Sequence, residues 1–387
     1  MGGRRGHGEG SIYRRESDGK WCCVIDLGRV DGKRRRKTIY GRTRKEVSEK
    51  LKAVLRDQQQ RLPITTERQT VEQFLNHWLP EVARPTLRDS TYASYRSKIA
   101  LYLVPALGKT QLTTLTPQHV QAMMNGMRER GLSPRSVQYA RAILRRALNQ
   151  ALRWGLVARN VATLVDPPRV ARHDIRPLDA DGAARFLAAV RGDRLEALYT
   201  VALALGLRQG EALGLRWRDV DLDVGVLHIR VALQWLGGER PRLVEPKTRQ
   251  SRRSLPLPGV VATQLRAHHA RQEAERALLG AAWQGEEWEL VFTAPTGGPL
   301  SKFTLTKQFK RHLARAGLPE LRFHDLRHSC ASLLVAQGVH PRVVMELLGH
   351  STIALTMNTY SHVLPQAQRD AVDLLDRLFA DPTPTEE

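Results

Sequence analysis

Apolar positions along this chain repeat at two spacings, and the change from one to the other divides it. From 11 to 61 they fall in short β-rich runs, Ser11–Arg15, Trp21–Leu27 and Lys37–Tyr40, separated by the pairs Asp18-Gly19 and Asp31-Gly32. Asp-Gly between such runs is a strong hairpin signal, because the tight turn it makes needs positive φ. Thr43 and Glu46 have the spacing of a capping box, and Val47, Leu51, Val54 and Leu55 give the helix it opens one apolar face. The expectation is a three-stranded sheet packed on one helix.

From 68 to 157 the spacing is helical throughout. Thr70 and Gln73 form another capping box, ahead of an apolar stripe of Val71, Phe74, Leu75, Trp78 and Leu79. A second helix follows Ser90. Thr116-Pro117 and Ser133-Pro134 each set a cap residue before a proline at the first helical position, and Gly131 and Gly155 sit where those helices should stop. The last helix carries Val137, Ile143, Leu144, Ala147, Leu148 and Leu152 inward, with Arg141, Arg145, Arg146 and Arg153 mostly elsewhere. Four helices of this kind can clamp DNA or bind another protein, and the pattern alone does not choose.

The polar stretch from Asp166-Pro167-Pro168 to about Ile175 reads as a linker. Beyond it, Val224–Leu233 and Leu243–Leu257 contain strand-like runs with Gly237-Gly238 between the first two, and the rest is helical. The fold class is multidomain. A small three-stranded β-sheet plus helix (1–61) precedes an all-α domain (68–157) and a linker (158–175). A mixed, mainly-α domain with a small antiparallel sheet (176–387) follows and ends on a helix over 366–380.

Charge narrows the partner. Lys and Arg outnumber Asp and Glu by 61 to 39 in 387 residues, a formal net charge of +22. Self-repulsion of that size is relieved by a polyanion, which points to nucleic acid first and an anionic membrane second. The membrane reading is the weaker one. The longest apolar stretch, Leu198–Leu207, is about half the length a spanning helix needs, and the start, MGGRRGHGEG, has no apolar h-region. The expectation is a cytoplasmic, nucleoid-associated protein without a membrane partner. Its three cysteines, Cys22, Cys23 and Cys330, make no C-x-x-C pair and no disulfide framework. Residues 1–61 carry 18 basic and 8 acidic side chains, with Arg34, Arg35, Arg36 and Lys37 in one run. A β-ribbon of this size fits the major groove. These four, with Arg141 and Arg145, are the candidate DNA contacts.

Candidate chemistry gathers late in the chain. One tyrosine, Tyr360, is preceded by His350 in LLGHS, by His324 and Arg327 in HDLRH, by Lys247 in EPKTR and by Arg208 in GLRQGE. Attack on a phosphodiester builds negative charge on two non-bridging oxygens and on the leaving oxygen, which fixed cations can stabilise in place of divalent metals. A metal site would want clustered carboxylates or paired histidines. The best candidate, Asp219-x-Asp221-x-Asp223, has Val224 where a calcium loop needs glycine, lacks the distal glutamate, and reads as a solvated connection. No metal and no cofactor is expected. His324 and Arg327, three apart, share a helical face in the first turn, above a buried stripe of Leu326, Cys330, Leu333 and Leu334 that stops at Gly338. Pro341 begins the next helix and Gly349 ends it, with His350 immediately after. Glycines at 206, 210 and 214 suggest close packing around Arg208 and Glu211.

In this order, GLRQGEAL, EPKTRQSRRSLPL, HDLRHSCASLL and LLGHSTIALTMNTY resemble the tyrosine recombinase (phage integrase) family across about 175–365. The region 68–157 is similar to that family's core-binding (SAM-like) domain. The module 11–61 looks like the arm-binding sheet of mobile-element integrases. The departures are small: Leu205 stands where the family often has threonine, and Gln209-Gly210 follow the first arginine.

The resemblance implies that Tyr360 attacks the scissile phosphate to form a 3′-phosphotyrosyl link and free a 5′-hydroxyl. It implies that Arg208 and Arg327 clamp the non-bridging oxygens, Lys247 protonates the leaving oxygen and His324 assists proton transfer. His350 would hydrogen-bond the phosphate and Glu211 would orient the cations. It implies double-stranded DNA with core and arm sites as partner, a homo-tetramer on synapsed DNA, and directionality and host DNA-bending factors. The C-terminal helix, with Val372, Leu375, Leu378 and Phe379 apolar, would either cap its own core or dock on a neighbouring subunit. Two other readings use the same residues: a catalytically silent DNA-binding regulator, and a relaxing topoisomerase.

Overall fold

The computed structural model describes residues 12–16, 18–30, 33–59, 69–171, 177–236, 240–246 and 251–349. The chain divides into two units, Met1–Arg172 and His173–Glu387.

The first unit opens with an antiparallel sheet in the order β1 (Ile12–Arg14), β2 (Trp21–Val30), β3 (Lys33–Gly41). Cys23, Ile25 and Ile39 turn to one face and bury against Val47 of α1 (Arg44–Gln59), with Ile12, Trp21 and Leu51 around them. Cys23 pairs with Ile39 across the ladder, so register and burial agree. Thr43 Oγ1 accepts from Glu46 N–H at 3.2 Å and starts α1. The Glu46 carboxylate accepts from Arg42 N–H at 2.8 Å, one residue earlier than a regular capping box. β3 begins at Lys33 rather than Lys37, so the basic run lies within the ladder, which a bulge between Asp26 and Arg29 shifts. Backbone pairing does not require an apolar pattern, which is why the alternation misses those residues.

Four helical segments follow. α2 (Val71–Trp78) starts at Thr70 with the expected reciprocal box to Gln73. α3 (Asp89–Lys98) runs on into α4 (Val104–Leu107), and α5 (Pro117–Glu129) and α6 (Pro134–Arg153) open at Thr116 and Ser133. Gly131 and Gly155 both have positive φ, as their stop positions demand. Both α2 and α3 pass through a wider π turn, where Arg84 N–H bonds Leu79 O and Val104 N–H bonds Ile99 O, each just before a proline. Phe74, Leu75, Trp78, Leu103, Ile143 and Leu144 fill the core. Two positions on α6 differ from expectation: Leu152 is exposed, and Arg141 is buried. Arg141 lies four residues after Val137 and three before Leu144, on the buried stripe itself, and its aliphatic stem lets that position go inside.

The second unit is built on α8 (Glu196–Leu205), buried all round from Ala197 to Leu203. α7 (Ala180–Val190), α10 (Gly259–Leu279), α11 (Lys302–Arg315) and α12 (Asp325–Ala336) surround it. Tyr199 of α8 meets Phe186, Phe309 and Phe323 in an aromatic cluster with edge-to-face contacts. The short α9 (Gln209–Leu213) follows α8, and α13 (Pro341–Leu348) follows α12. β4 (Val220–Asp221), β5 (Val226–Ile229) and β8 (Arg253–Pro256) form one antiparallel sheet, and β6 (Ala232–Gln234) pairs with β7 (Arg242–Val244) in a second. Asp219 is not a solvated carboxylate: it is buried, with Arg216 Nε at 2.7 Å and Arg230 Nε at 3.5 Å. Among the described residues, no helix is long and apolar enough to cross a membrane.

His268 of α10 carries a pH consequence. Arg271 Nη2 lies 2.8 Å from its Nδ1, so Nδ1 accepts and Nε2–H donates to Val291 O at 2.7 Å. That tautomer is neutral. Burial pushes its pKa down to about 4 from 6.5. The unfolded imidazole takes a proton near pH 6.5 and the folded one only near 4. Stability from this group is therefore complete above 6.5 and falls as pH drops towards 4, by up to about 3 kcal/mol. We expect the melting temperature to decline over that window and His268→Gln to flatten the decline. An acid limb of unchanged depth in the variant would remove His268 as its cause.

Candidate active site

Gly206 ends α8 in the left-handed conformation (φ 59°), and a Cβ there would overlap Leu348 Cδ2 of α13. The missing side chain lets the end of α13 sit directly against the turn that presents Arg208. Gly210 lies with its Cβ direction 3.1 Å from Leu233 O, and Gly214 packs on the backbone of β6 in the same way. The glycine spacing noted in the sequence thus serves close packing, against a strand and a helix end.

Arg208 is extended and precedes α9. Its Nη1 donates to Glu211 Oε1 at 2.6 Å and its Nη2 to Gly349 O at 2.9 Å, while 36% of its side chain stays exposed. Glu211 is buried, and its Oε2 accepts from Arg208 N–H at 3.1 Å and from Arg253 Nη2 at 3.1 Å. Burial alone would raise the Glu211 carboxyl pKa, but Arg253 and Arg208 outweigh it and hold the group below the usual carboxylate range.

Arg327, in the first turn of α12, is 2% exposed. Its Nη1 donates to Gly206 O at 2.8 Å and its Nη2 to Leu348 O at 2.6 Å. Arg253, at the start of β8, donates from Nε to Leu347 O at 2.7 Å. Three guanidiniums therefore hold three consecutive carbonyls at the C-terminus of α13, where the helix dipole is negative and the carbonyls have no intrahelical partner. Arg253 was not among the sequence candidates. Its signal was strand alternation, since it shares the face of buried Leu255 two residues on.

His324 precedes α12 and stands 5.2 Å, centroid to centroid, from His328 in an edge-to-face pair. Burial lowers its pKa, with Arg327 next and Arg208 also contributing, so it is neutral at neutral pH and can accept a proton. His328 is pushed down to about 4, by burial and then by His324. Asp325 anchors the helix start: Arg322 N–H donates to Oδ2 at 2.8 Å and Arg322 Nη2 to Oδ1 at 2.8 Å. Beside Arg253 opens a cleft of about 650 Å³ lined by His228, Arg230, Glu245, Arg252 and Ser254.

The structure thus brings Arg208, Glu211, His324 and Arg327 together. Lys247, His350 and Tyr360 lie outside the described residues. Of the candidate DNA contacts, Arg36 and Arg145 are exposed, and the side chains of Arg34, Arg35 and Lys37 lie outside what is described. Arg141 is only 8% exposed, which stands against the expectation that it reaches DNA. Among the described residues no group of three or more His, Cys, Asp or Glu side chains is placed to hold a metal.

Sequence profiles describe the same parts. The profile of the "Phage integrase family" matches residues 176–367, and that of the "Phage integrase, N-terminal SAM-like domain" matches 70–128. An integrase of Streptomyces ambofaciens is 32% identical over 393 residues, covering 98% of either chain. A tyrosine recombinase XerC-like protein of Caldanaerobacter subterraneus subsp. tengcongensis is 30% identical over 373 residues, covering 92% of this chain and 95% of its own. Two solved structures share the fold. The Tn1549 transposon integrase in complex with transposon right end DNA has a TM-score of 0.67 at 20% identity, over 79% of this chain and 99% of that one. A lambda integrase tetramer bound to a Holliday junction has a TM-score of 0.55 at 19% identity, over 88% and 95%. The chain belongs to the phage integrase family and is a tyrosine-type site-specific recombinase.

The Gly206–Leu348 contact can be tested alone. We expect Gly206→Ala to destabilise the protein by roughly 2 kcal/mol, from left-handed strain and overlap together. Adding Leu348→Ala should relieve only the overlap, so chemical denaturation of the pair should show a coupling. Strictly additive losses would mean the helix end is not held against this turn.

Proposed function

We propose that this recombinase integrates and excises a phage or other mobile element through a covalent 3′-phosphotyrosyl intermediate. One observation carries the reading. Arg208 and Arg327 meet at the end of α13 with neutral His324 near both, and the sequence directly past that end holds His350 and then Tyr360. Tyr360 attacks the scissile phosphorus, the bond to the 5′-oxygen breaks, and Lys247 gives that oxygen its proton. His324, unprotonated at neutral pH, assists removal of the tyrosine proton. Arg208 and Arg327 supply positive charge to the non-bridging oxygens, Glu211 holds Arg208 in place, and His350 hydrogen-bonds the phosphate. The phosphotyrosyl link conserves the energy of the broken bond, so rejoining to a second 5′-hydroxyl needs no nucleotide cofactor.

The domains divide the work accordingly. Residues 1–61 bind arm-type DNA, with Arg36 on an exposed strand position. Residues 68–157 bind the core site, 158–175 link, and 176–387 carry the chemistry. The solved lambda integrase tetramer on a Holliday junction, which shares this fold, supports a homo-tetramer on synapsed sites, in which the segment over 366–380 either caps its own core or docks on a neighbouring subunit.

Incubation with nicked duplexes covering the DNA beside its gene, with chelator present, should trap a protein–DNA adduct on a denaturing gel. Tyr360→Phe should give none while still binding. Arg208→Ala should slow adduct formation roughly 10²- to 10³-fold, as loss of a fixed oxyanion donor does. An adduct from Tyr360→Phe would sink the assignment of the nucleophile. Tight wild-type binding without adduct would instead favour a catalytically silent regulator.

A further inference from the structure

Arg253 reaches both the end of α13 and Glu211. Its Nε donates to Leu347 O at 2.7 Å, its Nη1 to Ser251 O at 3.2 Å and its Nη2 to Glu211 Oε2 at 3.1 Å, and its side chain is 7% exposed. Glu211, 4% exposed at its side chain, stands between it and Arg208, whose Nη1 is 2.6 Å from Oε1. A buried carboxylate with one arginine forms a closed, neutral pair. With two arginines it leaves a net positive charge on the group. Arg208 is the more exposed of the two cations, so the excess charge is presented at the open side.

We propose that Arg253 is a positioning residue for recombination: it shares the charge of Glu211 and ties down Leu347 O, which keeps Arg208 oriented toward the phosphate with its charge only partly offset by Glu211. This rests on the reading of Arg208 as a phosphate clamp. Arg253 itself does not touch DNA in this scheme. It acts through Glu211 and through the helix end that precedes His350. Lysine at this position would retain the charge opposite Glu211 but could not bond both acceptors as a planar fork does.

The test measures binding and chemistry separately in the full chain, on the nicked duplexes described above. Arg253→Met should slow single-turnover adduct formation roughly tenfold to a hundredfold, as removing one member of a buried charge cluster does. Affinity in a mobility-shift assay should stay within about threefold. Arg253→Gln, which keeps a donor for Leu347 O without the charge, should recover part of what Arg253→Met loses, whereas Arg253→Lys should recover most of the rate. In a Glu211→Gln background the charge no longer needs sharing, and adding Arg253→Met should cost much less. Melting curves identify folded variants, and Arg253→Gln serves if Arg253→Met does not fold. The proposal is overturned by adduct rates within about threefold of wild type for Arg253→Gln, by Arg253→Lys performing no better than Arg253→Gln, or by equal losses with and without Glu211→Gln. Failure of the wild type itself to form an adduct on DNA it binds would overturn the phosphate-clamp reading, and this proposal with it.

Discussion

The end of α13 is the point on which the arginines of the candidate site depend. Leu347, Leu348 and Gly349 offer carbonyls that no further turn of helix can satisfy, and Arg253, Arg327 and Arg208 each take one. Those arginines come from a strand, a helix and the turn after α8, so one helix terminus is fastened to three separate stretches of chain. The arrangement solves two electrostatic problems together. Three cations would repel one another in a partly dry interior, and a helix C-terminus carries roughly half a negative charge with orphan acceptors. Glu211 completes the neutralisation on one side only.

This geometry also explains the state of the nearby histidines. Burial and the arginines both disfavour an imidazolium, so His324 stands neutral among cations. A base beside positive charge is useful for phosphoryl transfer, because the charge that accumulates on the phosphate is met at once while the proton still has somewhere to go. Asp325 favours a proton on His324, but burial and Arg327 outweigh it, and both its oxygens are also held by Arg322.

How much of this was legible in the sequence follows from how local each cause is. Thr70 with Gln73, Thr116-Pro117, Ser133-Pro134 and Gly349 mark helix ends through contacts within a few residues, and the structure has caps or stops at each. Arg208, Glu211, His324 and Arg327 were found by order and spacing, and they do come together. For Arg141, Leu152 and Asp219 position outweighs residue type: periodicity puts Arg141 inside and Leu152 at the flank, and Asp219 is buried because Arg216 and Arg230 meet it. Arg253 lay within a quoted motif but beside Arg252, and only its strand phase separates the inward arginine from the outward one. Contacts across 94 residues of chain, such as Arg253 to Leu347, leave no mark in either local segment.

The depth of Arg327 bears on how such a chain is made. Its side chain needs the carbonyl of Leu348, which the ribosome adds 21 residues later, and a buried guanidinium without acceptors is strongly disfavoured. A nascent chain that has emerged only as far as α12 offers the residue Gly206 O but not Leu348 O. The arginine cluster is complete only once α13 has been made, since each of Arg208, Arg253 and Arg327 takes a carbonyl from its end.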